Sequence, residues 1–257
     1  MKLTKDEQSR LLDCMLEMGD LLLDSGAEIS RTEDTLTRMG LAYGALRVDV
    51  FVITSIISIS MEFTDGEAMT ETRRIRSTGS TDFHRLEDLN GISRSCCAEP
   101  LPVAELRARL DAVAAGRKPL SVILLGSVLA ASSFAVFFGG SLWDALAAGL
   151  FALAVCFLQE RLGRTELNTV AFNLLISLLI GLGVGLLAAL LPQLHMDKIL
   201  IGDIMLLIPG LAMTNAIRNL LVGNTISGTV RLAESLIWAA ALAGGFMVAM
   251  LITDALF

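Results

Sequence analysis

Asn215, Arg218 and Asn219 are spaced three and four residues apart along Ala212–Val222, so a helix carries all three on one face. Their chemistry suits an anion: the guanidinium offers a planar fork of donors matched to a carboxylate, and the two amides can donate or accept beside it. The stretch that holds them, Asp203 to Glu234, opens as an apolar helix and meets Pro209-Gly210 where a membrane helix should be unbroken. Proline removes a backbone donor, and in a bilayer the freed carbonyls need protein groups or water lining a cavity. Broken helices of this kind bind solutes in many transporters. Two alternatives stay open. Arg218 is either a receiver of a carboxylate or an inside-positive anchor. Asp203 either carries a coupling proton or ion inside the membrane or sits at the outer interface near Lys198.

Further polar groups cluster elsewhere. Gly26-Ala27-Glu28-Ile29-Ser30-Arg31-Thr32-Glu33 is the densest polar run near a helix junction. It reads as a ligand or coupling site with Arg31 as a carboxylate partner, or as a helix start whose acids favour the dipole. Asn168 and Asn173 open a long apolar segment, where amides cost free energy unless they face protein or water. Gly223 and Gly228 bracket a short re-entrant or cytoplasmic turn containing Ser227, and Arg231 and Glu234 are spaced for an ion pair at the start of the last helix. His84 and Glu87, three apart, could share a metal but lack a third ligand, so no metal and no cofactor are expected. There is no phosphate loop, Walker motif or nucleophile elbow, which leaves ATP-driven transport and serine hydrolysis without support.

The elements that position these groups follow from where the charge lies. Of the 20 Lys+Arg and 27 Asp+Glu, the first 118 residues hold 15 and 20, while mean hydropathy over all 257 residues is +0.66. This distribution predicts a polar domain over 1–118 joined at Arg117-Lys118-Pro119 to a membrane domain over 119–257. In the first part, the capping box Thr4 to Glu7 opens a helix that Ser25-Gly26 stops, and a second covers about Glu28 to Tyr43. The period then becomes two. Ile57, Ile59, Met61 and Phe63 alternate with Ser58, Ser60, Glu62 and Thr64 before the turn pair Asp65-Gly66. Val48, Val50 and Val52 suggest the preceding strand and Glu67 to Ile75 the following one; helices start after Asp82 and Pro102. The result is a small α+β domain.

Five apolar segments follow: about Leu120 to Phe138, Leu142 to Leu158, Val170 to Leu191, Ile199 to Ala216 and Leu236 to Phe257. The chain is thus expected to be an α-helical membrane protein of five crossings, one broken at Pro209-Gly210. Arg117, Lys118, Arg161, Arg164, Arg218 and Arg231 fall on one side and Lys198 on the other. The N-terminal domain is therefore expected in the cytoplasm and the C-terminus outside the inner membrane. Gly181 and Gly185 form a GxxxG that serves either packing within the chain or a homo-oligomer contact. Residues 1–24 are amphipathic and acidic rather than a secretory signal. Cys14, Cys96, Cys97 and Cys156 lack ligand spacing and fit a reducing compartment. The net charge of −7 without a basic patch argues against nucleic acid.

Ile208-Pro209-Gly210, the AIRN of Ala216 to Asn219, Gly223, Ser227-Gly228, Arg231 with Glu234, and LLLDSGAE from Leu21 to Glu28 with Arg31 and Glu33 together resemble the threonine/serine exporter family. These motifs run in order through nearly the whole chain. The resemblance implies efflux of small carboxylates or amino acids driven by an ion gradient. It also implies a place among the split members, in which a larger subunit works with a small integral membrane subunit and is implicated in succinate export. On that expectation Arg218 receives a substrate carboxylate, Asn173, Asn215 and Asn219 hydrogen-bond it beside the Pro209-Gly210 break, and Asp203 exchanges a proton. Two other classes remain: a hydrolase centred on Glu28, Arg31 and Glu33 and anchored by the helices, or a membrane sensor or scaffold.

Overall fold

The computed structural model describes residues 3–64, 66–75, 81–116, 119–162 and 168–256. Asp65 of the expected turn, the junction pair Arg117-Lys118, Arg164 and Phe257 lie outside the described residues. The chain forms two compact units, one of Met1–Arg117 with Thr214–Leu232, the other of Lys118–Met213 with Ala233–Phe257.

In the first unit, helix α1 (Lys5–Asp24) starts at the capping box: the Glu7 N–H donates to Thr4 Oγ1, and the Thr4 N–H donates to Glu7 Oε2 at 2.9 Å. Its apolar stripe, Leu11, Leu12, Met15, Met18 and Leu22, is buried. Helix α2 (Ile29–Ala42) follows, then three antiparallel strands in the order β1 (Arg47–Ile53), β2 (Ile56–Glu62), β3 (Ala68–Arg74). The strands fall where the alternation predicts. Val52 pairs with Ile57 and Val48 with Met61, so one face joins the core with α1 and α2. Ser58 and Ser60 point the other way, where their hydroxyls pair with those of Thr72 and Thr70. Period two also turns Arg73 toward the helices, and its guanidinium bonds Asp13 and, at 2.6 Å, Glu17 of α1. Helix α3 (Phe83–Ala98) is capped by Asp82, and α4 (Val103–Ala115) completes the layer. The buried Tyr43 hydroxyl donates to the Leu101 carbonyl at 2.9 Å, fixing the connection between α3 and α4.

The second unit begins with α5 (Leu120–Phe137), α6 (Leu142–Leu162) and α7 (Thr169–Leu190). Next come α8 (Met196–Leu207) and α9 (Gly210–Val222), and then α10 (Thr225–Leu256). Small residues set the helix spacing. A methyl on Gly202 would meet the Ala131 carbonyl oxygen at 2.6 Å, and one on Gly149 would meet Ser132 Oγ at 2.8 Å. The GxxxG of α7 packs within the chain: a Cβ on Gly181 would lie 2.5 Å from Ala249 and one on Gly185 2.3 Å from Thr253, both on α10.

Among the described residues four helices are long and apolar enough to cross a membrane, or five if the bent pair α8 and α9 is one span. The expected fourth crossing, Ile199 to Ala216, is therefore two helices of 12 and 13 residues, each about 20 Å long. The cause is Pro209: the residue before a proline avoids the α region, and Ile208 is extended at φ −61°, ψ 129°. The expected turn between Gly223 and Gly228 is also corrected. It is confined to Gly223-Asn224, and Thr225 already begins α10. Gly223 (φ +98°) ends α9 in a left-handed cap, with the Asn224 N–H on the Asn219 carbonyl at 2.9 Å and the Gly223 N–H on that of Leu220 at 3.2 Å. Gly228 is helical, and a Cβ there would lie 2.8 Å from the Leu220 backbone nitrogen.

Candidate functional site

Gly26 ends α1 at φ +88°, its N–H bonding the Leu23 carbonyl while the Ala27 N–H bonds that of Leu22. This tight reversal puts Glu28 at the N-cap of α2. Its carboxylate does not cap the helix. Instead it takes Arg218 Nη1 at 2.5 Å on Oε1, while Arg31 Nε stands 3.9 Å from Oε2. Two motifs 190 residues apart in sequence therefore meet inside the first unit. Arg218 keeps 53% of its side chain exposed and Glu28 only 17%, so a half-sheltered acid holds a solvent-facing guanidinium. Asn215 is half-buried and Asn219 buried on the same helix. Ser227 is buried at the start of α10.

Glu33, grouped with Glu28 by sequence, serves a different purpose. Its Oε1 accepts the Val52 N–H of β1 at 2.9 Å, tying α2 to the sheet. Burial pushes its carboxyl above the usual range, and the Val52 hydrogen bond partly opposes that.

In the second unit two buried carboxylates stand in opposite conditions. Asp144 opens α6 in a capping box that the sequence reading missed. Its Oδ2 accepts from the Ser141 N–H at 2.7 Å, Ser141 Oγ at 2.8 Å and His195 Nδ1 at 3.0 Å, and its Oδ1 accepts the His195 N–H at 2.7 Å. The local signal was Ser141-x-x-Asp144; the contact to His195 spans 51 residues and leaves none. Asp203 on α8 is fully buried, and among the described residues no donor reaches either oxygen. Glu234 Oε2 on α10 is likewise unreached by a donor among them. Asn168 proves to be the cap of α7, its Oδ1 accepting the Val170 N–H at 3.0 Å. Asn173 is half-buried one turn later, and its carbonyl accepts Ser177 Oγ at 2.7 Å. The exposed His84 ring lies 3.8 Å from Asp88, and no group of three or more His, Cys, Asp or Glu could hold a metal among the described residues.

A chain with a helix broken at Ile208-Pro209-Gly210 and an arginine from the next helix seated on the acid of a Gly-Ala-Glu turn can be compared with known proteins. The family model described as "Putative threonine/serine exporter" matches residues 13–253. The chain belongs to the threonine/serine exporter family. It is thus a member of a family of transporters rather than enzymes. The Klebsiella aerogenes protein described as "Probable succinate transporter subunit YjjP" is 23% identical over 253 residues, covering 97% of this chain and 96% of the relative. The "Threonine/serine exporter" of Corynebacterium glutamicum is 22% identical over 244 residues, 91% of this chain but 50% of the relative. The chain therefore spans about half the length of that family member. No solved structure matches the chain.

Proposed function

We propose that the chain is one subunit of a secondary exporter of small carboxylates, succinate or a similar dicarboxylate, acting with a small integral membrane subunit in the inner membrane. The observation that carries this is the difference in coverage: the chain matches a transporter subunit end to end and a threonine/serine exporter over only half of it. The unit holding the α+β domain would lie in the cytoplasm and the C-terminus on the outer side, as the distribution of arginines suggests. In the first unit Arg218 would exchange Glu28 for a carboxylate of the solute, with Asn215 and Asn219 as hydrogen-bonding neighbours. A guanidinium already seated on a carboxylate has the geometry for another. In the second unit the break at Pro209-Gly210 and Asn173 would supply polar groups along the path, and Asp203 would carry the coupling ion. Gly26, Gly223 and Gly228 shape the turns and close approach that hold the Glu28–Arg218 pair, and Arg231 and Glu234 lie on the helix that follows.

The test is efflux from cells loaded with labelled succinate or labelled threonine, expressing the chain alone and with the small membrane subunit. Succinate efflux that requires both chains supports the proposal. Threonine or serine efflux, which the family description and the Corynebacterium relative favour, keeps the exporter and replaces the substrate. Absence of both would remove the proposal.

A further inference from the structure

Asp203 lies two helical turns below His195 on α8, about 12 Å along the axis. Ionised and unpaired, a carboxylate buried this deeply is strongly disfavoured, so whatever neutralises it must reach it. Among the described residues no cluster of three or more His, Cys, Asp or Glu could hold a metal ion, whereas a hard cation takes roughly six oxygens. A proton needs no such cage.

The remaining titratable and charged groups of the described second unit narrow its source. Helices α5 and α7 carry none. On α6, Cys156, Glu160 and Arg161 lie toward the far end from Asp144; on α10 there are Glu234 and Asp254; at the head of α8 there are Asp197 and Lys198, paired at 3.0 Å. His195 stands apart from these. Its side chain is 60% exposed, it stands at the N-cap position of the helix that carries Asp203, and its Nδ1 is fixed on a fully buried acid. Anchoring Nδ1 on Asp144 leaves Nε2 to the water, and a ring held by one nitrogen can take up and give back a proton at the other. Midway between His195 and Asp203 on α8 stands Ile199, fully buried, so an apolar side chain separates the two levels of the helix.

We propose that the Asp144–His195 pair is the proton-loading site of Asp203. His195 takes a proton from the aqueous phase at Nε2, and when the α8 head opens past Ile199 and admits water, the imidazolium passes the proton through that water to Asp203. Imidazolium and carboxylate become imidazole and carboxylic acid, and no electrons move. Asp144 holds the ring's position and tautomer throughout. The coupling-ion role of Asp203 rests on the exporter reading; the proton path is testable without it.

The test uses the full chain in sealed proteoliposomes and dicyclohexylcarbodiimide, an apolar reagent that adds to protonated carboxyl groups, with adducts located by mass spectrometry. The Asp203 adduct is expected to fall as pH rises on the face bearing His195 and to vanish in Asp203→Asn. After a pH jump on that face, His195→Gln should slow the change in labelling by roughly a hundredfold, the scale of a lost proton-transfer group. Asp197→Asn, an exposed neighbour, should respond as the parent does. With the small subunit and succinate added, His195→Gln should depress net efflux driven by a pH gradient far more than succinate exchange at equal pH. No Asp203 adduct, a pH response unchanged by His195→Gln, or equal loss of net efflux and exchange would each overturn the proposal. Absence of all succinate movement would defeat the succinate reading while the labelling still decides the proton path.

Discussion

Glu28 of the first unit and Asp203 of the second are carboxylates handled in opposite ways. Glu28 has two guanidiniums at hand and one face toward water; Asp203 is fully buried, and no donor among the described residues reaches it. Asp144, a third acid buried as deeply as Asp203, has four donor contacts and so sets the scale for what a satisfied carboxylate looks like in the same unit. Burial alone therefore does not mark a working group. An acid buried without compensation lowers stability, whereas a compensated one anchors the elements around it; the proposed function gives Asp203 a use that offsets its cost.

The largest effect that could break this contrast lies at Arg218. Arg218→Ala should cut export by roughly a hundredfold, the loss of a forked charge-assisted hydrogen bond, while the protein stays in the membrane. Arg218→Lys should fall between, because an ammonium keeps the charge and loses the fork. Unchanged efflux of labelled solute in Arg218→Ala would leave the Glu28–Arg218 pair as a structural tie. Next come the two buried acids compared by thermal unfolding of the full chain in detergent. Asp144→Ala strands the Ser141 and His195 donors and should cost about 2–4 kcal/mol. Asp203→Leu strands nothing and should be neutral or stabilising by about 1–3 kcal/mol, while abolishing coupled transport. Equal losses in both variants would erase the distinction.

The smallest effect concerns Glu33. Because burial raises its carboxyl above the unfolded value, the folded state favours the protonated form. That contribution is fully present below the unfolded pKa of about 4.3 and is lost as pH rises through the raised folded value. Asp20, also raised by burial, acts in the same direction. Amide exchange in β1 should therefore speed up as pH climbs out of the carboxylate range, beyond the intrinsic pH dependence, and Glu33→Gln should flatten that rise. An identical slope in the variant would remove Glu33 from the linkage.

Much of the first unit was legible because its signals are local. The Thr4 capping box, the alternation from Ile57 to Phe63 and the Asp82 cap each act within a few residues, and each element appears where they place it. The break at Pro209 was legible for the same reason. The turn around Ser227 was misjudged because two glycines look alike in sequence, yet Gly223 supplies a positive φ and Gly228 supplies room for Leu220. The pairs Glu28–Arg218 and Asp144–His195 were illegible, since 190 and 51 residues separate their members and no periodicity spans such distances. The polarity of Arg218 and Glu28 showed that each needed a partner; only the fold shows that they satisfy one another.

The four thiols offer an address label. Cys14 and Cys96 are sealed in the core of the α+β domain and Cys156 lies half-covered on a long apolar helix, but Cys97, adjacent to a sealed neighbour on the outer face of α3, is open. A membrane-impermeant maleimide applied to intact cells and then to inverted vesicles would find this single ready nucleophile from one side alone, so the native chain carries its own topological marker without an engineered cysteine.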